Sequence, residues 1–91
     1  MDDLKNLRKK IDQLDGEIVE MLNRRFALSV AVGDVKAKKG ASVLVTGREE
    51  EIKKRLGKAS LPEFEKSILG VYERIFVESR LIQETKEKLD G

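Results

Sequence analysis

The amino-acid sequence predicts an all-α fold, with one very long helix followed by a short helix and a second long helix. Apolar residues recur at alternating steps of three and four through two long stretches, which is typical of helices that bury one face. The chain has a single proline, Pro62, and it lies outside both stretches. With 91 residues, the chain is expected to form one domain, residues 1–91.

The first helix is predicted from Asp3 to about Lys39. Its acidic first residues suit the positive end of the helix dipole, and the lysines before Gly40 suit the negative end and a C-terminal cap. At about 1.5 Å per residue, this helix is about 50 Å long. Its apolar stripe consists of Leu4, Leu7, Ile11, Leu14, Ile18, Met21, Leu28, Val32 and Val35.

Two further helices are predicted after a short connection at residues 41–45. Residues 46–49 (Thr-Gly-Arg-Glu) match a capping box that opens a short helix, and Gly57 is expected to end it. Residues 60–63 (Ser-Leu-Pro-Glu) match a second capping box. The third helix is predicted to run from there to about Leu89.

The length of the first helix predicts a dimer. A compact protein of this size has a radius of gyration of about 12 Å, so a helix of about 50 Å cannot fit within one globule. The two later segments cannot cover both ends of its apolar stripe. We therefore expect the stripe to be buried against a second copy, in an intertwined helical homodimer.

The composition excludes several classes of chemistry. Charged residues make up 40% of the chain but the net charge is only +2, so bulk electrostatics do not favour a polyanionic partner. There is no cysteine and no histidine, which removes disulfides, thiolate chemistry and imidazole acid–base catalysis. The N-terminus lacks the features of a signal peptide, and no apolar run reaches membrane-spanning length. A cytoplasmic protein without a membrane segment is expected.

Arg25 interrupts the apolar stripe of the first helix between Met21 and Leu28. Its guanidinium stays charged and carries five donors, and burying it without a partner costs several kcal/mol. It must therefore meet either a carboxylate of the protein or an anionic ligand. Lys36 lies eleven residues later, close to three full turns, so both side chains leave the same side of the helix.

The apolar stripe predicted for the third helix continues into polar residues. Leu69, Tyr72 and Phe76 are followed at the same spacing by Ser79 and Gln83. Either residue alone is explained as a buried polar group with its hydrogen bonds satisfied. Because the buried guanidinium of Arg25 requires polar partners in the same interior, Ser79 and Gln83 are both candidates for a binding site.

Three other charged residues have ordinary explanations beside a functional one. Glu49 fits the capping box, Arg48 fits a solvated first turn, and Arg8 could pair with Asp12 one turn later. Arg8 precedes Arg25 by seventeen residues, which places it about 25 Å away along a straight helix. In an antiparallel dimer, however, Arg8 of one chain can reach the central site of the other.

Five segments of the chain carry a recognisable pattern: residues 7–15 (Leu-Arg-Lys-Lys-Ile-Asp-Gln-Leu-Asp), 22–25 (Leu-Asn-Arg-Arg), 32–36 (Val-Gly-Asp-Val-Lys), 48–49 (Arg-Glu) and 78–83 (Glu-Ser-Arg-Leu-Ile-Gln). In this order and with compatible spacing, they resemble the all-helical class of chorismate mutase over essentially the whole chain. That family forms an intertwined dimer of three-helix chains, and each active site is completed by an arginine of the partner.

The resemblance implies a chorismate mutase of phenylalanine and tyrosine biosynthesis, and the length of 91 residues leads us to expect a monofunctional one. Its reaction is a unimolecular Claisen rearrangement of chorismate to prephenate, in which an enol-ether C–O bond breaks while a C–C bond forms. No nucleophile, metal, cofactor or general base is needed. Catalysis then consists of holding a dianion in a compact conformer and stabilising the charge that grows on its ether oxygen.

The resemblance also implies how the substrate carboxylates are bound. Arg25 and Arg8 of the partner subunit would clamp them, bidentate where the geometry permits. Arg48 would add positive potential, and Ser79 would donate a hydrogen bond to a carboxylate. The expected apolar walls are Leu28, Val32, Val43 and Ile82.

By the same resemblance, Lys36 and Gln83 would direct donors at the ether oxygen, and Glu49 would accept from the ring hydroxyl. One position departs from the family pattern. Some members carry an aspartate three residues before the Arg-Glu pair, where this chain has Val45. The hydroxyl contact is therefore expected to depend on Glu49 alone, which would weaken substrate binding without removing the chemistry.

Two other functions remain open at this point. An isochorismate-pyruvate lyase resembles this fold and uses a similar cationic pocket, although Glu49 and Ser79 favour the mutase. A non-enzymatic helical scaffold or nucleic-acid-binding module is suggested by the basic residues at 36–39 and 53–55. Against it, residues 49–51 can neutralise the second cluster, and no aromatic residue lies among the basic ones to stack on bases.

Overall fold

The computed structural model describes residues 2–40 and 46–90, and the side chains of residues 2–40 and 47–84. Three helices follow one another: α1 (Asp3–Lys39), α2 (Thr46–Ala59) and α3 (Glu65–Asp90). The predicted all-α class and the long–short–long order are confirmed. The predicted connection at 41–45 lies outside the described residues.

Helix α1 ends where its sequence predicts. Gly40 adopts the left-handed conformation, with φ of 67°, and its N–H donates to the carbonyl of Ala37 at 3.3 Å. A residue with a side chain is disfavoured in this conformation, so glycine suits the position. Asp3 lies in the first turn, at the positive end of the helix dipole, and three lysines lie in the last turn, at its negative end. Both placements stabilise the helix.

The predicted junction between α2 and α3 is wrong at two points. Helix α2 continues through Gly57 to Ala59, and Ser60 closes it rather than opening α3. Both the hydroxyl and the N–H of Ser60 donate to the carbonyl of Leu56, at 2.7 and 2.9 Å. Because the Ser60 hydroxyl is bonded to a carbonyl of α2, it does not cap the N-terminus of α3. A turn then leads into α3 at Glu65.

Helix α3 packs against both α1 and α2. The apolar core is small: among the described residues only Ile52 and Phe76 are buried apolar side chains, and Phe76 is 2% exposed. Lys53 of α2 also contacts Glu73 of α3 at 2.5 Å. This hydrogen bond is the largest cause that raises the pKa of Lys53 above its ordinary value. Desolvation lowers the pKa by a smaller amount, and the hydrogen bond and charge of Glu50 raise it further.

The N-terminal half of α1 has an uncovered apolar surface. The radius of gyration of the chain is 16.6 Å, well above the value of about 12 Å for a compact chain of this length. Its principal extents are 57 × 26 × 14 Å. Six apolar side chains of the stripe are 52–57% exposed in the single chain: Leu4, Leu7, Ile11, Leu14, Ile18 and Met21.

Gly33 allows α1 and α3 to approach closely. It is buried, and a β-carbon placed on it would lie 3.1 Å from the Cα of Gln83. Because that contact is with backbone, it cannot be relieved by moving one flexible side chain. The small residue at 33 therefore sets the distance between α1 and Gln83.

We expect Gly33→Ala to lower the free energy of unfolding by about 1 kcal/mol, since overpacking costs about 1–3 kcal/mol and the gain in helix propensity offsets only about 1 kcal/mol. Thermal unfolding followed by circular dichroism measures this. Gly70→Ala is the matched control, because nothing lies within 4 Å of a β-carbon at Gly70 in α3. Equal stabilisation by both substitutions would contradict the close approach at Gly33.

None of the helices, over the residues that the structure describes, is long and apolar enough to cross a membrane.

Candidate active site

A pocket of about 330 Å³ lies where the C-terminal half of α1 meets α2 and α3. It combines a set of cations with an aromatic and aliphatic wall. Its lining residues are Arg25, Leu28, Ser29, Val32, Lys36, Arg48, Glu49, Ile52, Arg55, Tyr72, Phe76, Ser79, Arg80 and Gln83.

Arg25 is half-buried in the wall of this pocket. Its Nη1 donates to the hydroxyl of Ser79 at 2.8 Å, and its Cζ lies 5.7 Å from the ring centroid of Tyr72 and 5.9 Å from that of Phe76. Within the described part of the chain Arg25 forms no ion pair, so the carboxylate partner considered from the sequence is not found there. Two ring contacts and one hydroxyl orient the guanidinium without neutralising its charge.

Lys36 and Gln83 form a second polar pair in the pocket. The Nζ of Lys36 donates to Oε1 of Gln83 at 3.2 Å, and Gln83 is buried. This bond orients the side-chain amide of Gln83: the amide oxygen accepts from the Lys36 ammonium, and the amide NH2 group remains available as a donor. The prediction that Lys36 and Arg25 leave the same side of α1 is confirmed, since both line the pocket.

Glu49 enters the pocket from the first turn of α2. Nη1 of Arg80 donates to both of its carboxylate oxygens, at 2.6 and 2.5 Å. The sequence interpretation placed Glu49 in a capping box, and the contact with Arg80 on α3 was not predicted. The side chain of Thr46, the other half of that box, lies outside the described side chains.

Arg48 lies at the edge of the pocket. Its side chain is 54% exposed and its Nη1 contacts Oε1 of Glu51 at 2.6 Å. Arg48 is thus both a solvated first-turn residue and part of the pocket lining.

Arg55, Arg80 and Ser29 also line the pocket, and none was predicted from the sequence to belong to this site. Ser29 was detectable, because it lies four residues after Arg25 and next to the stripe residue Leu28. Its hydroxyl donates to the carbonyl of Arg25 at 3.3 Å.

Arg8 is not part of this pocket within one chain. It lies near the N-terminus of α1 in a separate surface depression, and its side chain is exposed. Among the described residues it forms no ion pair with Asp12. Of the predicted apolar walls, Leu28 and Val32 line the pocket and Ile82 does not, while Val43 and the departure at Val45 lie outside the described residues.

The charge of the pocket favours a small anionic ligand. Five lining side chains are cationic and only Glu49 is anionic, which leaves a net charge of +4 in the lining. In the described part of the chain no cluster of three or more histidine, cysteine or acidic residues is arranged to hold a metal ion. Directed donors around a partly apolar floor can hold a compact dianion in one conformation and stabilise charge that develops on it.

Comparisons with known proteins agree with this chemistry. The family described as chorismate mutase type II matches residues 7–84. Over 52 residues the chain is 44% identical to the bifunctional chorismate mutase/prephenate dehydratase of Aquifex aeolicus, and this match covers 57% of this chain and 14% of that protein. Over 53 residues it is 36% identical to the intracellular chorismate mutases of Mycobacterium bovis and Mycobacterium tuberculosis, covering 58% of this chain and 50% of theirs. No solved structure matches significantly.

The matched segments thus span about half the length, or less, of these curated relatives.

Proposed function

This chain belongs to the chorismate mutase type II family, and from that premise we propose that it converts chorismate to prephenate without a cofactor. The observation that carries the proposal is the state of Arg25. Its guanidinium is half-buried, lies near two aromatic rings and donates to Ser79, and it faces a cation-rich pocket with no carboxylate paired to it in the described residues.

Chorismate is a dianion, and its rearrangement requires no group to be transferred to the protein. The chain must favour the compact conformer in which the new C–C bond can form and must stabilise the ether oxygen as its bond breaks. Preorganised donors in a partly desolvated pocket supply both effects. The absence of cysteine and histidine from the sequence is compatible with this reaction.

The donors divide into two groups. In our proposal Arg25 binds one substrate carboxylate, with Ser79 as a second donor. Lys36 and the amide NH2 of Gln83 act on the ether oxygen, because the bond between them leaves that NH2 as a donor. The ether contacts strengthen most in the transition state, so they contribute to kcat rather than to binding alone.

The remaining polar residues complete substrate recognition. Glu49 accepts a hydrogen bond from the ring hydroxyl, while Arg48 adds positive potential at the pocket edge, where its side chain is half exposed. Since Val45 replaces an acidic residue found in some family members, Glu49 is proposed to bind the hydroxyl alone.

We also propose that the active unit is a homodimer. Six apolar side chains on the N-terminal half of α1 are more than half exposed in one chain, a surface that a second copy would bury. Arg8 lies on that same half of α1 and away from its own pocket. Antiparallel pairing of two α1 helices would bring Arg8 of the partner subunit to the substrate carboxylates.

The proposed place of the reaction is phenylalanine and tyrosine biosynthesis. The mycobacterial relatives are named as intracellular enzymes, and the same compartment is proposed for this chain.

The test is the disappearance of chorismate, followed in the ultraviolet with purified protein and a metal chelator. We expect turnover, with prephenate identified by its acid conversion to phenylpyruvate. Turnover of isochorismate in place of chorismate would indicate the lyase and contradict the proposal. A folded protein inactive on both substrates would support the scaffold interpretation instead.

A further inference from the structure

Arg80 is a pocket residue that the proposed function has not used. We propose that it positions the Glu49 carboxylate for the substrate hydroxyl, so that it acts on the substrate through Glu49. This inference rests on the proposed function, because the hydroxyl belongs to chorismate.

The contact between the two residues is well defined. One nitrogen of Arg80, Nη1, lies 2.6 Å from Oε1 and 2.5 Å from Oε2 of Glu49. The two side chains are 28% and 21% exposed, whereas those of the surface pair Arg24–Glu20 are 67% and 61% exposed. Partial burial reduces solvent screening, so this charge-assisted contact orients its carboxylate more firmly than an exposed pair does.

Glu49 needs such a restraint because other cations surround it. Arg25, Arg48 and Arg55 line the same pocket, and each could attract a mobile carboxylate away from the substrate. Arg48 is already in contact with Glu51. A carboxylate has about four lone-pair sites, so Glu49 can accept from a hydroxyl while it stays bound to Arg80.

The place of Arg80 on α3 couples Glu49 to the other pocket residues. Arg80 follows Ser79, which binds Arg25, and precedes by three residues Gln83, which binds Lys36. One turn of α3 thus holds three side chains that reach the pocket. The Arg80–Glu49 contact connects the first turn of α2 to this part of α3.

We expect Arg80→Met to raise the KM for chorismate about 10-fold with kcat nearly unchanged, because a contact made equally in the ground state and the transition state affects binding alone. The KM for an analogue whose ring hydroxyl is replaced by hydrogen should rise much less. Arg80→Lys should restore most of the affinity for chorismate, since one nitrogen makes both contacts and an ammonium can replace it.

Arg74→Met is the matched control. It removes the same charge from the same helix, but Arg74 pairs with Glu78 and does not line the pocket. Its KM for chorismate should stay within about 2-fold of the unmodified value, an effect of net charge alone.

The outcomes separate this inference from the function on which it rests. If the unmodified chain does not turn over chorismate, the proposed function and this inference are both wrong. If it does, equal KM increases of Arg80→Met for chorismate and the analogue would mean that Arg80 contributes only charge. If Arg80→Met left the KM for chorismate unchanged and lowered the melting temperature, Arg80 would only stabilise the packing of α2 on α3. Either result would overturn the inference alone.

Discussion

Replacing Arg25 with alanine is expected to lower kcat/KM for chorismate by about 10³-fold while the chain stays folded, since loss of one preorganised donor costs about 10²–10³-fold and this one is also charged. The guanidinium is held by Ser79 and two aromatic rings, so it is directed at the pocket before any ligand arrives. Because no carboxylate pairs with it in the described residues, its removal leaves no buried anion without a partner. Steady-state kinetics, with circular dichroism as the fold measurement, test this.

The neighbouring arginine provides the control for this prediction. Arg24 is exposed and pairs with Glu20 one turn earlier on the surface of α1. Because Arg24 does not line the pocket, Arg24→Ala should change kcat/KM by less than about 3-fold, an effect of net charge alone. If Arg25→Ala unfolded the protein or left turnover intact, Arg25 would be a structural residue and the proposed site would be wrong.

Mixing Arg8→Ala chains with Arg25→Ala chains is expected to restore activity that neither variant has alone. In a mixed dimer, one site combines the intact Arg25 of one chain with the intact Arg8 of the other, and the second site lacks both. Random pairing makes about half of the dimers mixed, so we expect about a quarter of the unmodified activity. The variants are unfolded together, refolded and assayed, and light scattering gives the mass of the assembly.

A second mixture shows whether the gain comes from a shared site. Arg25 and Lys36 line the same pocket of one chain. Mixed dimers of Arg25→Ala and Lys36→Ala chains therefore have one damaged residue in each site and should stay inactive. Equal recovery in the two mixtures, or a monomeric mass, would contradict the role proposed for Arg8.

The helical register was sufficient to predict four of the polar residues that line the pocket. Arg25 and Lys36 on α1, and Ser79 and Gln83 on α3, interrupt or extend apolar faces at helical spacing. Because the apolar faces of packed helices meet, polar residues in those faces are brought together. The contacts of Arg25 with Ser79 and of Lys36 with Gln83 are the result.

The residues that sequence reasoning missed depend on how α2 lies against α3. Arg80 is one position away from Ser79 and would be assigned to a different helix face by periodicity alone. Arg55 lies in a basic run that has the pattern of a solvated surface. Only the packing of α2 on α3 places Glu49 beside Arg80 and turns Arg55 toward the pocket.

Helix periodicity and capping were sufficient to predict the helical class, the bounds of α1 and the importance of Arg25, because both are local properties of the chain. The tertiary structure places Gly33 against Gln83 and Glu49 beside Arg80. These features depend on the distance and rotation between helices. Those are set by side-chain packing between distant segments, which no local pattern records.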